Sequence, residues 1–526
     1  MGVFKISLDQ IAAKLRDGVN GHQPQLVHEA EQMLHAVLNQ SPENWNAAFL
    51  LAGAFMQTER HGAAINLLEN VISKRADVPA VWNNLGTCYR KEHINDKAER
   101  AFLMALKYEP NDADVYSNLG TLYINEGNPD QAKDYLEQAI LIDPSHPNAR
   151  WNLSLAQLEL EDWEQGFPNY QWGQTSLDRM RKNYTDARGH RVPWWQGQKV
   201  GTLVVHDEQG VGDSVMYASM FDELRQFCDT LIIDGHPRLE TLYNRAFPWA
   251  VVKPTRKIID EPVPWERDYV IDAKVAVGDV GRWLRKKESD FPKTAYMQPN
   301  PELVEQYKAQ LLSFGPGPYI AVGHVGGHKK TRKDIRSLSF DTLLPVFKAF
   351  PHATFISCDY TNRDEEYAQL KAEHGVDVKI IPEVFEGARF EKYFVTKGGV
   401  DLREFTDKSE AKAFRDHVQG DGIRHEYGPG FDLDSIFSYF AAIKELGGIV
   451  LSVNSSNVHF CGASGVPCLT FTPSKPAWRY GLDRSDMVWY GPWVQQVRQQ
   501  GEDWAPAVKI AVAYLQDTLS TNRGVL

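Results

Sequence analysis

The stretch His206-Asp207-Glu208-Gln209-Gly210-Val211-Gly212-Asp213-Ser214 sets three carboxylates and an imidazole between an apolar run, GTLVV from Gly201, and the run VMYASMFDELRQF from Val215. In that setting it is a loop that follows a strand and opens a helix, so its backbone N–H groups are free to meet an oxyanion. A carboxylate at such a point can take the proton of an attacking hydroxyl, the task of a general base. Asp213 is the preferred base, with Glu208 and Asp207 in reserve, and Gly210 and Gly212 shape the loop that would receive an acceptor. An acid at a helix start is also an ordinary cap. The company of two further acids and a histidine is what marks this one.

Two other loops carry complementary chemistry. From Gly323 to Ser337 the chain reads GHVGGHKKTRKDIRS, with Gly326 and Gly327 followed by Lys329, Lys330, Arg332, Lys333 and Arg336. Glycines behind a strand, with cations close by, suit a diphosphate, which needs close backbone approach and neutralisation. The alternative is a flexible basic surface loop. Asn454-Ser455-Ser456-Asn457 lies between the apolar run GGIVLSV and a short helix ending at Gly465, where hydroxyls and amides serve both as caps and as phosphate ligands.

The elements that must position these loops alternate between strand and helix. After GTLVV come TLIIDG, PRLETLYNRAF and AVVKP. A second series follows: PYIAVGHV, FDTLLPVFKAF, ATFISCD, RDEEYAQLKAEHG, VKII, SIFSYFAAIKEL, GGIVLSV, NVHFCGASG and PCLTFTP. Two βα series in tandem imply two doubly wound domains facing a cleft, with ligands outside the carboxyl ends of the strands.

Upstream the pattern is purely helical and repeats. Trp82, Leu85, Gly86, Tyr89, Ala98, Ala105 and Pro110 recur 34 residues later as Tyr116, Leu119, Gly120, Tyr123, Ala132, Ala139 and Pro144. That period and these residue types match the tetratricopeptide consensus, a helix–turn–helix solenoid. Weaker copies run through Ala48, Leu51, Ala52 and Phe55, and through Trp163, Gly166, Phe167 and Tyr170, giving roughly four to five units over residues 10–175. Asn83, Asn84, Asn118 and Asn125 are candidates for a groove that holds extended peptide. Residues 173–199, with Pro193-Trp194-Trp195 near the end, read as a connector with an aromatic anchor.

The bulk properties narrow the classes. A chain of 526 residues exceeds a single core, and a net charge of −12 argues against non-specific nucleic-acid binding. The five cysteines form no CxxC pair and read as buried thiols of a reducing compartment. No metal site is expected: Asp112/Asp114 falls in a repeat turn and Asp432/Asp434 just before a helix, so both read as caps. With no apolar leader or membrane-length segment, a cytoplasmic protein is expected.

The second half also resembles a known family. VPWWQGQKVGTLVV followed by EQGVGD, RSLSF at Arg336–Phe340, LSVNSSNVHFCGASGVPCLTFTP, and WRYGLDRSDMVWYG from Trp478 resemble, in this order, the catalytic region of bacterial tetratricopeptide-containing glycosyltransferases of the heptosyltransferase-like GT-B type. The resemblance implies metal-independent, inverting transfer of a sugar from a nucleotide-diphosphate donor, with no other cofactor. Carried over by position, Asp213 falls where that family places its base in a Gly-Asp motif. Asn454, Ser455, Ser456 and His459 match the donor loop, and Lys329, Arg332 and Arg336 fall near the phosphates with Gly326 and Gly327. Two departures stand out: residue 454 is Asn where the family has Asp, and residues 383–430 exceed the family's usual connection, as a lid, an acceptor clamp or a surface insertion.

The expected architecture is therefore α plus α/β. A tetratricopeptide superhelix (1–175) and a linker (176–199) precede two Rossmann-like lobes, acceptor-side (200–312) and nucleotide-sugar-side (313–505), and a C-terminal helix (506–526). The expected activity is glycosyl transfer to a hydroxyl, on a protein or peptide recruited by the repeats. The rival is a non-catalytic scaffold with a degenerate transferase fold.

Overall fold

In the computed structural model, residues 7–521 are described except 22, 177–178, 180–181, 256–262, 327–332, 360–362, 382–383, 385–390, 398–399, 406–407, 419–421 and 428–432. The chain forms two compact units, Met1–Leu160 and Glu161–Leu526.

The first unit is a stack of helical hairpins: α1 (Leu8–Asn20) with α2 (Pro24–Gln40), α3 (Trp45–Gln57) with α4 (His61–Lys74), α5 (Pro79–Lys91) with α6 (Asn95–Tyr108), α7 (Ala113–Glu126) with α8 (Pro129–Ile142), then α9 (Pro147–Glu159). The period is visible in the caps. Asn44, Asp112 and His146 each accept the N–H of the residue three further on, and Pro79 and Pro147 open helices where no N–H is needed. It is visible in the turns too: Glu59, His93 and Gly127 all adopt left-handed φ, near 57°, 59° and 73°. The small residues of the consensus are contact points. A Cβ on Gly86 would stand 2.7 Å from the Phe102 ring, and one on Gly120 would stand 2.3 Å from Leu136. Of the groove candidates, Asn83 and Asn118 are bonded to each other (Nδ2 of Asn118 to Oδ1 of Asn83, 2.8 Å), and Asn152 donates to Thr121 Oγ1 at 2.8 Å, so amides tie neighbouring helices together.

The second unit contains two parallel sheets. The smaller joins β1 (Val200–His206), β2 (Cys228–Asp234), β3 (Val251–Val252) and β4 (Ala273–Ala276) in the order β3-β2-β1-β4. The larger begins with β5 (Tyr319–Gly323), β6 (Thr354–Ser357) and β7 (Val378–Lys379). A small antiparallel sheet then intervenes in sequence, with β8 (Glu391–Lys397), β9 (Val400–Phe405) and β10 (Gly422–Tyr427) in the order β10-β8-β9. The larger sheet resumes with β11 (Ile449–Val453), β12 (Cys468–Thr472) and β13 (Val494–Arg498). Its order, β13-β12-β11-β5-β6-β7, runs outward in both directions from β5 and β11, the doubly wound arrangement.

Several expected boundaries move. Residues 161–175, assigned to the repeats, belong to the second unit: Phe167 of α10 (Trp163–Tyr170) lies where a Cβ on Gly281 would stand 2.4 Å from its ring. Residues 176–199 are not a linker. Tyr184 and Val192 join Val204, Ile232 and Ile271 in the core of the smaller sheet, and Trp194 pairs with Lys274 of β4. The aromatic anchor is present as Trp195, 2% exposed. The helix Pro301–Phe314 lies on the helix Asp434–Glu445, with Tyr307 against Tyr439, so it goes with the larger sheet and not with the lobe ending at 312. The C-terminal helix Ala505–Thr521 likewise contributes Ala507, Val508, Ala511, Leu515 and Leu519 to that sheet's core. The extra segment 383–430 includes a folded module, with Val395 and Ala411 buried against Phe414 and Val418.

Candidate functional site

In the larger sheet the strand order reverses between β5 and β11. Both strands end at the same edge, where such sheets leave a crevice. Gly326 and Asn454, picked from sequence on separate loops, meet there: a Cβ on Gly326 would stand 3.1 Å from the Asn454 carbonyl and 3.0 Å from that of Arg336. The Gly326 N–H donates to Ser337 Oγ at 3.3 Å. Gly327, Lys329 and Arg332 lie outside the described residues.

Asn454 is 1% exposed. Its Oδ1 accepts from Thr470 Oγ1 (3.0 Å) and Thr472 Oγ1 (3.1 Å), while its Nδ2 is buried without a partner. A carboxylate in its place would accept the same two bonds; the amide instead leaves a donor. Ser455 caps the helix Ser456–Ser464, its Oγ accepting the Asn457 N–H at 3.3 Å. Asn457 Nδ2 donates to the Cys358 carbonyl at 2.9 Å and fixes this helix start to the end of β6. Beside it, His324 sits between Asp359 (Nδ1 to Oδ2, 2.7 Å) and Glu366 (Nε2 to Oε2, 3.2 Å). Burial alone would lower the His324 pKa, yet the two carboxylates raise it. Asp359 also accepts the backbone N–H groups of His324 and Val325, so it holds the start of the glycine loop.

The acid loop stands at the matching point of the smaller sheet, after β1, and its helix α11 (Val211–Ala218) packs on Ser456–Ser464. Contact is close at Gly212, where a Cβ would lie 2.9 Å from His459 and 3.3 Å from Ser456. Gly210 is the N-cap of α11. Asp213 pairs with Arg479, whose Nε is buried without a partner. His459 is buried against Tyr490 Oη (2.9 Å from Nδ1) and Tyr480 Oη (3.5 Å from Nε2). Burial, then the charges of Arg479 and Arg336, bring its pKa down to about 3, so the ring is neutral at physiological pH. The sequence-selected Gly212, Asp213, Ser456, His459 and Arg336 thus form one neighbourhood.

Glu208 and Asp207 do not join it. Glu208 is buried, accepting from Arg179 Nε (2.5 Å) and the Gly278 N–H (2.8 Å). Burial raises its pKa to about 8, against the lowering pull of Arg179. Arg179 also donates to Asp279 Oδ1 at 2.7 Å and to the Tyr170 carbonyl, making this a brace between the loop after β1 and the turn after β4. Asp207 accepts the His236 N–H at 2.5 Å and its pKa is raised by burial to about 6. Both acids hold the loop in shape through these bonds to the protein itself.

Sequence reasoning passed over Arg479, Tyr490 and Arg179. The first two lie in the WRYG and VWYG segments, apolar in pattern, and nothing in the stretch around Arg179 marks it. A cavity of about 690 Å³ lies away from these strand ends, between the helix Phe340–Ala349 and the C-terminal helix. Among the described residues no group of three or more His, Cys, Asp or Glu is placed to hold a metal ion, and no helix is long and apolar enough to cross a membrane.

Comparison with known proteins adds the following. Tetratricopeptide-repeat models match residues 27–85 and 113–146. Protein FlbA of Caulobacter vibrioides is 26% identical over 509 residues, spanning 90% of this chain and 73% of its own. Among solved structures, MamA is 19% identical (31% of this chain, 94% of that one, TM-score 0.27). A thermophilic TPR protein of Thermus thermophilus is 18% identical (31% and 90%, TM-score 0.28). Pseudomonas aeruginosa PilF is 16% identical (42% and 86%, TM-score 0.30). The helical hairpins of the first unit are tetratricopeptide repeats.

Proposed function

We propose that the chain is a glycosyltransferase: residues 161–526 act as a two-lobed GT-B enzyme on a nucleotide-diphosphate sugar, and the repeats recruit a protein acceptor. One observation carries this reading, the packing of the acid-loop helix α11 against Ser456–Ser464, which sets Asp213 beside the strand-end crevice of the larger sheet. In the reaction an acceptor oxygen attacks the anomeric carbon as the bond from that carbon to the diphosphate oxygen breaks. The acceptor proton passes to the Asp213 carboxylate, and the nucleoside diphosphate leaves. The N–H groups of the first turn of Ser456–Ser464 and the cations after β5 stabilise the charge of the departing diphosphate.

The test is thermal stabilisation of the full chain by UDP, GDP, ADP and CMP. A bound nucleotide at about 100 times its Kd adds about 2.7 kcal/mol and a measurable rise in Tm. No rise with any of the four at millimolar concentration counts against the reading.

The scaffold alternative has its own support: each of the three acids is already engaged, Asp207 with a backbone N–H, Glu208 with Arg179 and Asp213 with Arg479. Nucleotide binding without turnover on any acceptor would favour it.

A further inference from the structure

Beyond β4, whose outer side pairs with Trp194, the smaller sheet carries a feature that sugar transfer at Asp213 does not use. A cavity of about 340 Å³ opens there, and Trp172, Trp194, Trp283, Gln196, Asp279 and Arg282 are among its walls. The indoles come from three separate segments of the sequence. Trp195 is core, buried with its Nε1 bonded to the Gln198 carbonyl at 2.7 Å. Trp172, Trp194 and Trp283 are only partly buried although they line a concave surface. Water on half-open indole faces forgoes burial energy of about 25 cal/mol per Å².

The walls are also held in place. Trp283 lies against Trp195 with ring centroids 4.4 Å apart. The backbone at Gly197, with φ 88°, passes so close that a Cβ there would stand 2.2 Å from Trp283 Nε1. Lys274 Nζ lies 4.3 Å from the Trp194 ring centre. Asp279 is oriented by Arg179 on one oxygen and Gln174 on the other, each at 2.7 Å, and each carboxylate oxygen keeps further acceptor capacity. A site fixed before its ligand arrives spends little on ordering.

The occupant follows from the mixture. A purely apolar side chain would cover the indoles but strip water from Asp279, Arg282 and Gln196 without replacing it. A phosphate would find a carboxylate in its path. A pyranose ring satisfies both demands: its C–H face lies flat on an indole, and its hydroxyls meet the carboxylate, guanidinium and amide around the rim. The volume suits roughly one or two rings. We propose that this cavity is a saccharide-binding site, separate from the strand-end crevice. Asp279 shares Arg179 with Glu208, so a bound sugar touches the brace that shapes the acid loop.

Saturation-transfer NMR on the full chain tests this with methyl glucopyranosides, methyl mannopyranosides, maltose and N,N′-diacetylchitobiose at millimolar concentration, and a proline-rich decapeptide in parallel. Transfer to ring C–H protons of at least one sugar is expected, unaffected by excess UDP or GDP. Trp283→Ala and Arg282→Gln should each weaken it about tenfold; the second lies at a half-buried position and keeps the fold if the first does not. The proposal falls if no sugar shows transfer, if both substitutions leave it intact, if a nucleotide displaces it, or if only the peptide responds. The readout is binding, so it stands or falls independently of transferase activity.

Discussion

At the residue scale, the base proposed for sugar transfer, Asp213, is paired with Arg479. A carboxylate held by a guanidinium keeps its direction. In the proposed mechanism Asp213→Asn is expected to lower turnover by about 10²–10⁴-fold, the usual worth of general-base catalysis, with nucleotide-induced stabilisation retained. Unchanged turnover would remove the base assignment. His459 gives a second prediction, on stability. Its pKa falls from 6.5 in the unfolded chain to about 3 in the fold, chiefly through burial. As pH drops below about 6.5 the unfolded chain takes a proton that the folded ring refuses, so stability falls by about 1.4 kcal/mol per pH unit. His206, also pushed down by burial, adds in the same direction. His324 acts oppositely: its contribution is complete below 6.5 and is lost as pH rises through its raised folded value. Glu208 and Asp207, raised by burial, offset the loss over this range, so the His459 contribution is read as a difference: between pH 6.5 and 5.0 in denaturant unfolding, His459→Gln should lose less stability, or gain more, than the unsubstituted chain. An unaltered slope would mean that His459 takes up protons freely in the fold. Asp213 and Ser456 were singled out from the sequence because their loops follow strands, where open sheets place ligands, and His459 only through the family resemblance. Arg179 and Arg479 were not, since their partners lie 29 and 266 residues away and no local pattern records such a pairing.

At the element scale, the 34-residue period is a packing rule that single substitutions can break or improve. Gly86→Ala and Gly120→Ala drive a methyl into Phe102 and Leu136, and each should cost about 1–3 kcal/mol in denaturant unfolding. The turn position offers the reverse. His93 and Glu59 occupy the left-handed conformation that Gly127 adopts one or two repeats later, at a cost of about 1–2 kcal/mol for a residue with a Cβ. His93→Gly is therefore expected to raise stability or leave it unchanged, despite the usual penalty for glycine near a helix; a clear loss would show that the His93 side chain does more than fill a turn. The repeats were readable because each residue's neighbours recur at a fixed spacing. The strand order of the larger sheet was not, because alternation of strands and helices is compatible with several orders. The three strands between residues 391 and 427 escaped for a related reason: charged residues such as Glu391, Lys392, Arg403 and Glu404 mask the alternation of a small sheet in which, among the described residues, Val395 is buried with Ala411 of the neighbouring helix.

At the scale of the whole molecule, the boundary between units fixes what folds alone. The repeat rhythm runs on to Trp163, Phe167 and Tyr170, yet these residues are spent on the second unit. Trp163 meets Phe291 at 5.2 Å and Trp478 at 6.4 Å between ring centres, Phe167 meets Trp478 at 6.2 Å, and the Tyr217 hydroxyl donates to that of Tyr170 at 2.9 Å. Arg484 extends the same cluster, bonding Glu161, Glu288 and Asp486. Losing a buried Phe or Trp side chain costs about 3–5 kcal/mol, and a domain has about 5–15 kcal/mol in hand. A chain starting at Glu161 should therefore unfold cooperatively. One starting at residue 176, the boundary that the repeat period implies, lacks three buried aromatics and the carbonyl that receives Arg179, and should lose its sharp transition and near-UV signal while retaining helix and sheet. Comparing the two by near-UV circular dichroism and urea titration decides the matter: equal cooperativity would return residues 161–175 to the repeats.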